Sequence, residues 1–334
     1  MSCIANIDRF LISNEIINNL TVIYRYIGKN DSFKKAVDAD LNRIMAQTIE
    51  RDCYFLAKIL KLDLTDNRMR LIITKDSAPR SVDEKTLYNL KEVLSTYQKF
   101  ADESTFDSAS LINTINFLFP TKTIKYDYEP FDKQSSASVT SKRIVVDEEY
   151  RLLNDHLIKN DVEKIYLYIH YFLDLCNIAP FTNENEVMNY LSLLLVLRKC
   201  EIDCFKYVSL YELLYANINV YKEVFNDASF NWKEGYPKTL PFVRFITDLV
   251  IDAYQKTEKI IKEYESDKTL NKGDNIENTI SNLPRTFTKD DIRAYHPYVS
   301  ESTINRALAK LKDENNIKPL GKGRSAKWVK TGML

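Results

Sequence analysis

The sequence predicts a mainly α protein: a helical core carrying one small β-hairpin, followed by a compact C-terminal module. Three observations predict it. Glycine and proline are scarce in 334 residues, 6 and 9 respectively, against 21 Tyr and 16 Phe, so tight turns are few and elements long. Apolar residues recur at helical spacing along most of the chain, and two nearly continuous apolar runs, 166–175 and 191–197, read as buried central helices. From residue 283 the pattern changes to two short capped helices and a basic glycine turn between apolar stretches.

Composition sets outer limits. With 45% hydrophobic residues the chain can bury a sizeable core, and its length invites two domains. Lys+Arg and Asp+Glu are both 47, so no global field recruits nucleic acid or a membrane, and any such partner must meet a local patch. Cys3, Cys53, Cys176, Cys200 and Cys204 are odd in number and show no paired CxxC spacing. They read as reduced, buried thiols of a cytoplasmic protein, with no metal site. Residues 1–11 carry Asp8 and Arg9 before any apolar stretch of signal-peptide length. The longest mainly apolar run, 190–197, is far short of the ~20 residues that span a bilayer.

In chain order, 32–62 holds apolar positions at helical spacing, from Ala36 and Leu41 to Ile59 and Leu60, and reads as one long or broken amphipathic helix. The short apolar stretch 70–74 suits a strand or a helix end. A helix over 82–100 gathers Leu87, Leu90, Val93 and Leu94 on one face, and 108–119 repeats the pattern until Pro120. Over 121–146 the chain alternates, becomes Ser-rich and then β-branched at 142–146, the marks of a hairpin or flap. Further helices follow over 150–157 and 162–175, the second apolar on nearly every face. His170 lies in it without a Ser, Cys or acidic partner at diagnostic spacing and reads as a satisfied core histidine. Ser209 is a good N-cap for the next helix, and 240–254 carries Phe242, Phe245, Ile246, Leu249 and Val250 on one stripe. The charged, polar stretch 263–282 reads as a linker.

The segment between the two buried helices is Ile178-Ala179-Pro180-Phe181-Thr182-Asn183-Glu184-Asn185-Glu186-Val187-Met188-Asn189-Tyr190. Taken locally, Thr182 or Asn183 caps the second helix and Glu186 completes a capping box. The same order, Ile-x-Pro-Phe-x-x-x-Asn before a long apolar helix, resembles the active-site loop of the Fic (Fido-fold) family, His-Pro-Phe-x-Asp/Glu-Gly-Asn-Gly-Arg-x-x-Arg. Pro180, Phe181 and Asn185 match. The family's histidine falls on Ala179, its acidic residue on Asn183, its glycines on Glu184 and Glu186, and its arginines on Val187 and Tyr190. Upstream, 46–52 is similar to the helix that precedes the core in many Fic proteins, with Glu50 at the place of an inhibitory glutamate. The hairpin, the Ser209 helix and the aromatic helix over 240–254 also stand where the family has such elements.

The resemblance implies a Fic-like core at 105–262, an N-terminal helical region at 1–104 packing on it, the linker at 263–282, and a C-terminal domain at 283–334. That last domain, with N-caps at Thr288 and Ser300 and the turn Gly321-Lys322-Gly323-Arg324, resembles a winged helix-turn-helix.

A working Fic enzyme transfers AMP from Mg-ATP to a protein hydroxyl. The loop histidine is the base, the acidic residue holds Mg²⁺, and glycine amides and arginines hold the phosphates. On this chain the base falls on alanine, which alone removes ~10²–10⁴-fold of rate. One loop carboxylate at ~6 Å repels a phosphate charge by roughly 3 kcal/mol at an effective dielectric of ~20. The resemblance therefore implies a core with no catalytic residue and no cofactor. Mg-ATP belongs only to the alternative, an adenylyltransferase with an altered loop, for which His170 is the nearest replacement base in sequence.

The C-terminal domain carries the other expectation. From Arg285 to Lys330 eleven cations face five acids, a net of +6 in a chain that is neutral overall. Ser302, Asn305 and Arg306 would face a DNA groove, with Lys322, Arg324 and Lys327 in the wing. A protein partner remains the competing use of this face, and a two-fold DNA site would imply a homodimer.

Overall fold

The structure, a computed structural model, describes residues 2–10, 12–130, 139–269, 272–296, 299–321 and 326–331. Two compact units divide the chain: residues 1–30 with 48–255, and residues 31–47 with 256–334.

In the first unit a 3-10 turn at Ile4–Arg9 precedes α1 (Asn14–Ile27), which Ser13 caps by accepting the Ile16 amide. The region read as one long or broken helix is broken, and its part up to residue 47 belongs to the second unit: α2 (Asn30–Ala36) and α3 (Leu41–Ile59) are separated by a 3-10 turn at Asp38–Asp40. The 70–74 stretch is helical, inside α4 (Asp66–Lys75), because Met69, Ile72 and Ile73 bury one helical face. α5 (Val82–Lys99) and α6 (Ser108–Leu118) follow, capped by Ser81 and Asp107.

The hairpin is shorter than the sequence suggests. β1 (Tyr128–Pro130) pairs antiparallel with β2 (Val139–Ser141), and the Ser-rich residues 131–138 lie outside the described residues. The β-branched 142–146 stretch is not a strand but the first turn of α7 (Lys142–Lys159). Ser141 caps it by accepting the Arg143 amide, and Val146 and Leu153, two turns apart, are buried.

α8 (Lys164–Ile178) and α9 (Asn185–Lys199) form the centre of this unit and are buried on nearly all sides. α10 (Leu210–Ala216), with Ser209 as its cap, and α11 (Ile218–Ser229) complete the surround. The first part of α12 (Leu240–Thr269) stacks Phe242 on Phe172 of α8 at 5.8 Å between ring centroids. One carboxylate lies inside the apolar run of α8. Asp174 is fully buried and accepts the amides of Cys3 and Ile4 at 2.6 and 2.9 Å and the Trp232 indole N–H at 2.6 Å. It thereby holds the start of the Ile4–Arg9 turn against the core.

In the second unit Tyr264 of α12 donates to Asp40 at 2.7 Å. α13 (Lys272–Asn282) replaces the expected linker: Ile276 and Ile280 are fully buried in the core of the C-terminal module. β3 (Thr286–Phe287), α14 (Lys289–Tyr295), α15 (Glu301–Asp313), β4 (Ile317–Pro319) and β5 (Trp328–Lys330) complete it, with antiparallel strand order β3-β5-β4. Thr288 and Asp291 make a capping box on α14, and Ser300 caps α15. The shared core joins Ile276, Ile280, Leu283, Phe287, Ile292, Ile304, Leu308, Leu311 and Ile317. None of the described helices is long and apolar enough to cross a membrane.

Candidate functional site

The α8–α9 loop is built by long-range backbone pairing, not by local capping. Residues 125–127 run antiparallel to 180–182. The Thr182 amide donates to Lys125 O at 3.0 Å, the Asp127 amide donates to Pro180 O at 2.9 Å, and Tyr126 bridges Phe181. The Thr182 hydroxyl is turned to the Lys125 amide, so it does not cap α9. Asn183 is exposed, and neither it nor Glu186 makes the expected capping box. Asn185 closes the loop instead. Its Oδ1 accepts the Phe181 amide at 2.9 Å and its Nδ2 donates to Phe181 O at 2.7 Å, fastening the buried Phe181 to the first turn of α9.

Two residues adopt left-handed backbone, Ala179 at φ 45° and Glu184 at φ 62°, a conformation that costs a non-glycine residue on the order of 1 kcal/mol. Both are tied down. Lys142 Nζ donates to Ala179 O at 3.0 Å and lies 3.4 Å from the Asp127 carboxylate. Glu184 pairs with Lys122. That ion pair corrects the electrostatic expectation, because one of the two loop glutamates has a lysine beside it. Glu186, exposed in the first turn of α9, is left to repel an anion.

Val187 and Tyr190, at the positions of the resembled arginines, are buried. The Tyr190 carbonyl accepts the Tyr211 hydroxyl at 3.0 Å, and its ring lies 5.9 Å from that of Tyr221. Glu50 is half-buried on α3, and the residue at 190 is a tyrosine, not the arginine of the resembled inhibitory pair. Its neighbours tie α3 to α10. Arg51 forms a bidentate pair with Glu212, Nε to Oε2 at 2.9 Å. Asp52, fully buried, accepts from Ser209 Oγ at 2.6 Å and from the Tyr211 amide at 3.3 Å. Burial pushes its carboxyl up to about 7. Its Oδ2 and the Gln98 Oε1, both buried, have no hydrogen-bond partner among the described residues. The signal for Asp52 was present in the sequence: a carboxylate on the same stripe as Ile49, Cys53 and Leu56.

His170 is not available as a base. It is completely buried, with Nδ1 2.8 Å from Tyr166 O and Nε2 3.0 Å from Thr239 Oγ1, and desolvation lowers its pKa to about 4. The five cysteines are free and buried, and no group of three metal-ligating residues occurs among the described residues.

The C-terminal module presents a different surface. On α15, Ile304, Ala307, Leu308 and Leu311 are buried, whereas Ser302, Asn305, Arg306 and Ala309 are exposed on the opposite stripe. The module's cations divide into two groups. Arg293 pairs with Glu301 and Asp290, Lys310 pairs with Glu277, and Lys330 donates to the carbonyls of Ser281 and Leu283. The side chains of Arg306, Lys312, Lys318 and Lys327 have no ion-pair or hydrogen-bond partner among the described residues. Lys322 and Arg324 lie outside the described residues.

No family model matches the chain, and no curated protein matches it. Solved structures do match it, among them two Fic proteins. A Fic family protein from Desulfovibrio desulfuricans G20 is 15% identical with a TM-score of 0.57, covering 97% of this chain and 98% of that one. A Fic domain containing signaling protein from Bacteroides thetaiotaomicron VPI-5482 is also 15% identical, with a TM-score of 0.54, covering 73% of this chain and 97% of that one. The chain therefore has a Fic-type, mainly α fold.

Proposed function

We propose that the protein is a DNA-binding regulator acting through its C-terminal module, and that its Fic-type core does not transfer AMP. The observation that carries the reading is the exposed stripe of α15, where Ser302, Asn305 and Arg306 stand opposite a buried apolar stripe. Lys312, Lys318 and Lys327 supply further cations whose charges are not neutralised by described side chains. Under this proposal the antiparallel strands β4 and β5 are the base of a wing; Lys322 and Arg324, which the sequence assigns to its turn, lie outside the described residues. The module is thus a winged helix-turn-helix, and a two-fold DNA site would bring two copies of the chain together.

The silence of the core rests on the α8–α9 loop. Ala179 offers no proton acceptor, Asn185 is consumed in holding Phe181, and His170, the nearest histidine in sequence, is sealed in the core. The core then serves as a ligand-sensing or association platform. Free, buried thiols suit the reducing cytoplasm. Two measurements test the reading. Full-length protein should retard labelled duplex DNA in a gel at low salt and release it as salt rises. Calorimetric titration with Mg-ATP should give no binding heat. Transfer of labelled AMP to the protein itself or to a lysate protein, abolished by substitutions in residues 179–186, would overturn the second half of the proposal.

A further inference from the structure

The exposed stripe of α15 contains more than charge. Positions 302, 305, 306 and 309 fall at i, i+3, i+4 and i+7, one face of the helix. Along it stand a hydroxyl, a carboxamide, a guanidinium and a methyl group, all exposed. A surface made only to attract phosphates needs cations and nothing else. Asn305 does not fit that need: it is uncharged, and asparagine in a helix interior is less favourable than alanine by roughly half a kcal/mol. Asparagines elsewhere in the chain recover that cost by bonding a backbone carbonyl, as Asn154 does to Tyr150 O and Asn177 does to Leu173 O. The Asn305 side chain makes no hydrogen bond to any described residue, and neither does the Arg306 side chain beside it. Ser302 shares a hydrogen bond with the cap residue Ser300 at 2.8 Å, so its hydroxyl is already oriented by the protein.

We infer that α15 reads base edges in a major groove, with Asn305 and Arg306 as the specificity-determining residues and adjacent adenine and guanine as their targets. The inference rests on the duplex-binding reading above and names what that surface recognises. A carboxamide donates and accepts side by side, matching the N7 acceptor and N6 donor of adenine. A guanidinium fork matches the O6 and N7 acceptors of guanine. The two residues are consecutive, so the bases they reach are neighbours or near neighbours. Ala309, one turn further on, adds only a methyl, which leaves room for the 5-methyl group of a thymine. Lys312, Lys318 and Lys327 remain for phosphates, which set affinity without sequence.

The test is selection of full-length protein on a pool of randomised duplexes, followed by affinities for the selected duplex and for a shuffled one. The selected sequences should share an adenine next to or one step from a guanine. Replacing that adenine should weaken binding on the order of 5- to 150-fold. Asn305→Ala should erase that discrimination, bringing affinity for the selected duplex and for its adenine-replaced version together, and Arg306→Ala should erase discrimination at the guanine and weaken binding to both duplexes. A matching circular dichroism spectrum and melting temperature show that each variant is folded. If the protein binds every duplex with normal salt dependence but selects no purine pair, or if Asn305→Ala leaves the selectivity intact, base reading by this stripe is wrong and the DNA-binding reading survives. If no duplex is bound at low salt, both are wrong.

Discussion

Asn185 is one of three residues that match the resembled Fic loop, and its geometry assigns it a structural job that can be measured. Its carboxamide makes two hydrogen bonds to the main chain of Phe181, at 2.9 and 2.7 Å, around a residue that is 2% exposed. Asn185→Ala removes both partners and leaves an N–H and a C=O of Phe181 without them. Each bond contributes about 1 kcal/mol net, and a stranded buried group costs about 1–3. Asn185 itself is only part-buried, so water relieves some of this; the better helix propensity of alanine returns roughly half a kcal/mol. The expected loss is about 2 kcal/mol, or a fall in melting temperature of about 4–8 °C for a domain of this size. Asn185→Asp keeps the acceptor but faces a carboxylate to the Phe181 carbonyl, and gains about 0.3–1 kcal/mol from the helix dipole. It should lose about half as much. Thermal denaturation of the full-length variants, with hydrogen exchange of residues 178–186 alongside, reads both effects. If Asn185→Ala shifts stability by less than about 0.5 kcal/mol and leaves exchange in the loop unchanged, the two bonds do not hold the loop and the reasoning fails.

Two further outcomes follow from buried groups. Burial raises the carboxyls of Asp52 and Glu149 to about 7 and that of Asp174 to about 6, against ordinary values near 4. Between about pH 4 and 7 the folded state therefore holds protons at these sites that the unfolded state has lost. Their contribution is fully present below pH 4 and falls away as pH rises through 7. His170, lowered to about 4, acts in the opposite sense: its contribution is present above about pH 6.5 and is lost as pH falls through 4. Denaturation midpoints measured from pH 5 to 8 should show stability declining toward pH 8, and Asp52→Asn should flatten part of that decline; a midpoint that rises steadily with pH contradicts it. In α13, Ile276→Ala should cost about 2–5 kcal/mol and raise amide exchange in α15, because Ile276 is fully buried in the module core. A neutral result would return 263–282 to the status of a linker.

Much of the helical frame was legible because the residues that start helices are local signals. Ser209, Thr288 and Ser300 cap the helices expected of them, and the apolar runs around 166–175 and 191–197 are the central helices. What stayed hidden depended on partners far along the chain. The loop's capping box looked sound by spacing, but Thr182 is drawn into pairing with Lys125, a contact that no local window contains, and the helix begins at Asn185 without a side-chain cap. The 142–146 stretch looked like a strand because it is β-branched, yet only Val146 needs burial there, and a helix provides it while leaving Ile144 exposed. α13 was obscured by its polar neighbours, although Ile276, Ile280 and Leu283 already stand at i, i+4 and i+7. Asp52 and Asp174 were the clearest missed signals, each a carboxylate set within an apolar stripe and each the acceptor that docks a neighbouring segment.

The central claim is that this chain acts through DNA contacts made by its C-terminal module, and fluorescence anisotropy of a labelled duplex with full-length protein tests it most directly. Affinity should fall along a straight line in log K against log salt, with a slope near −0.9 per phosphate neutralised. Arg306→Ala should weaken binding, and replacing a phosphate-neutralising lysine, Lys312 or Lys318, by alanine should reduce that slope by about 1. Absence of binding at low salt, or binding that neither salt nor these substitutions alter, would contradict the account.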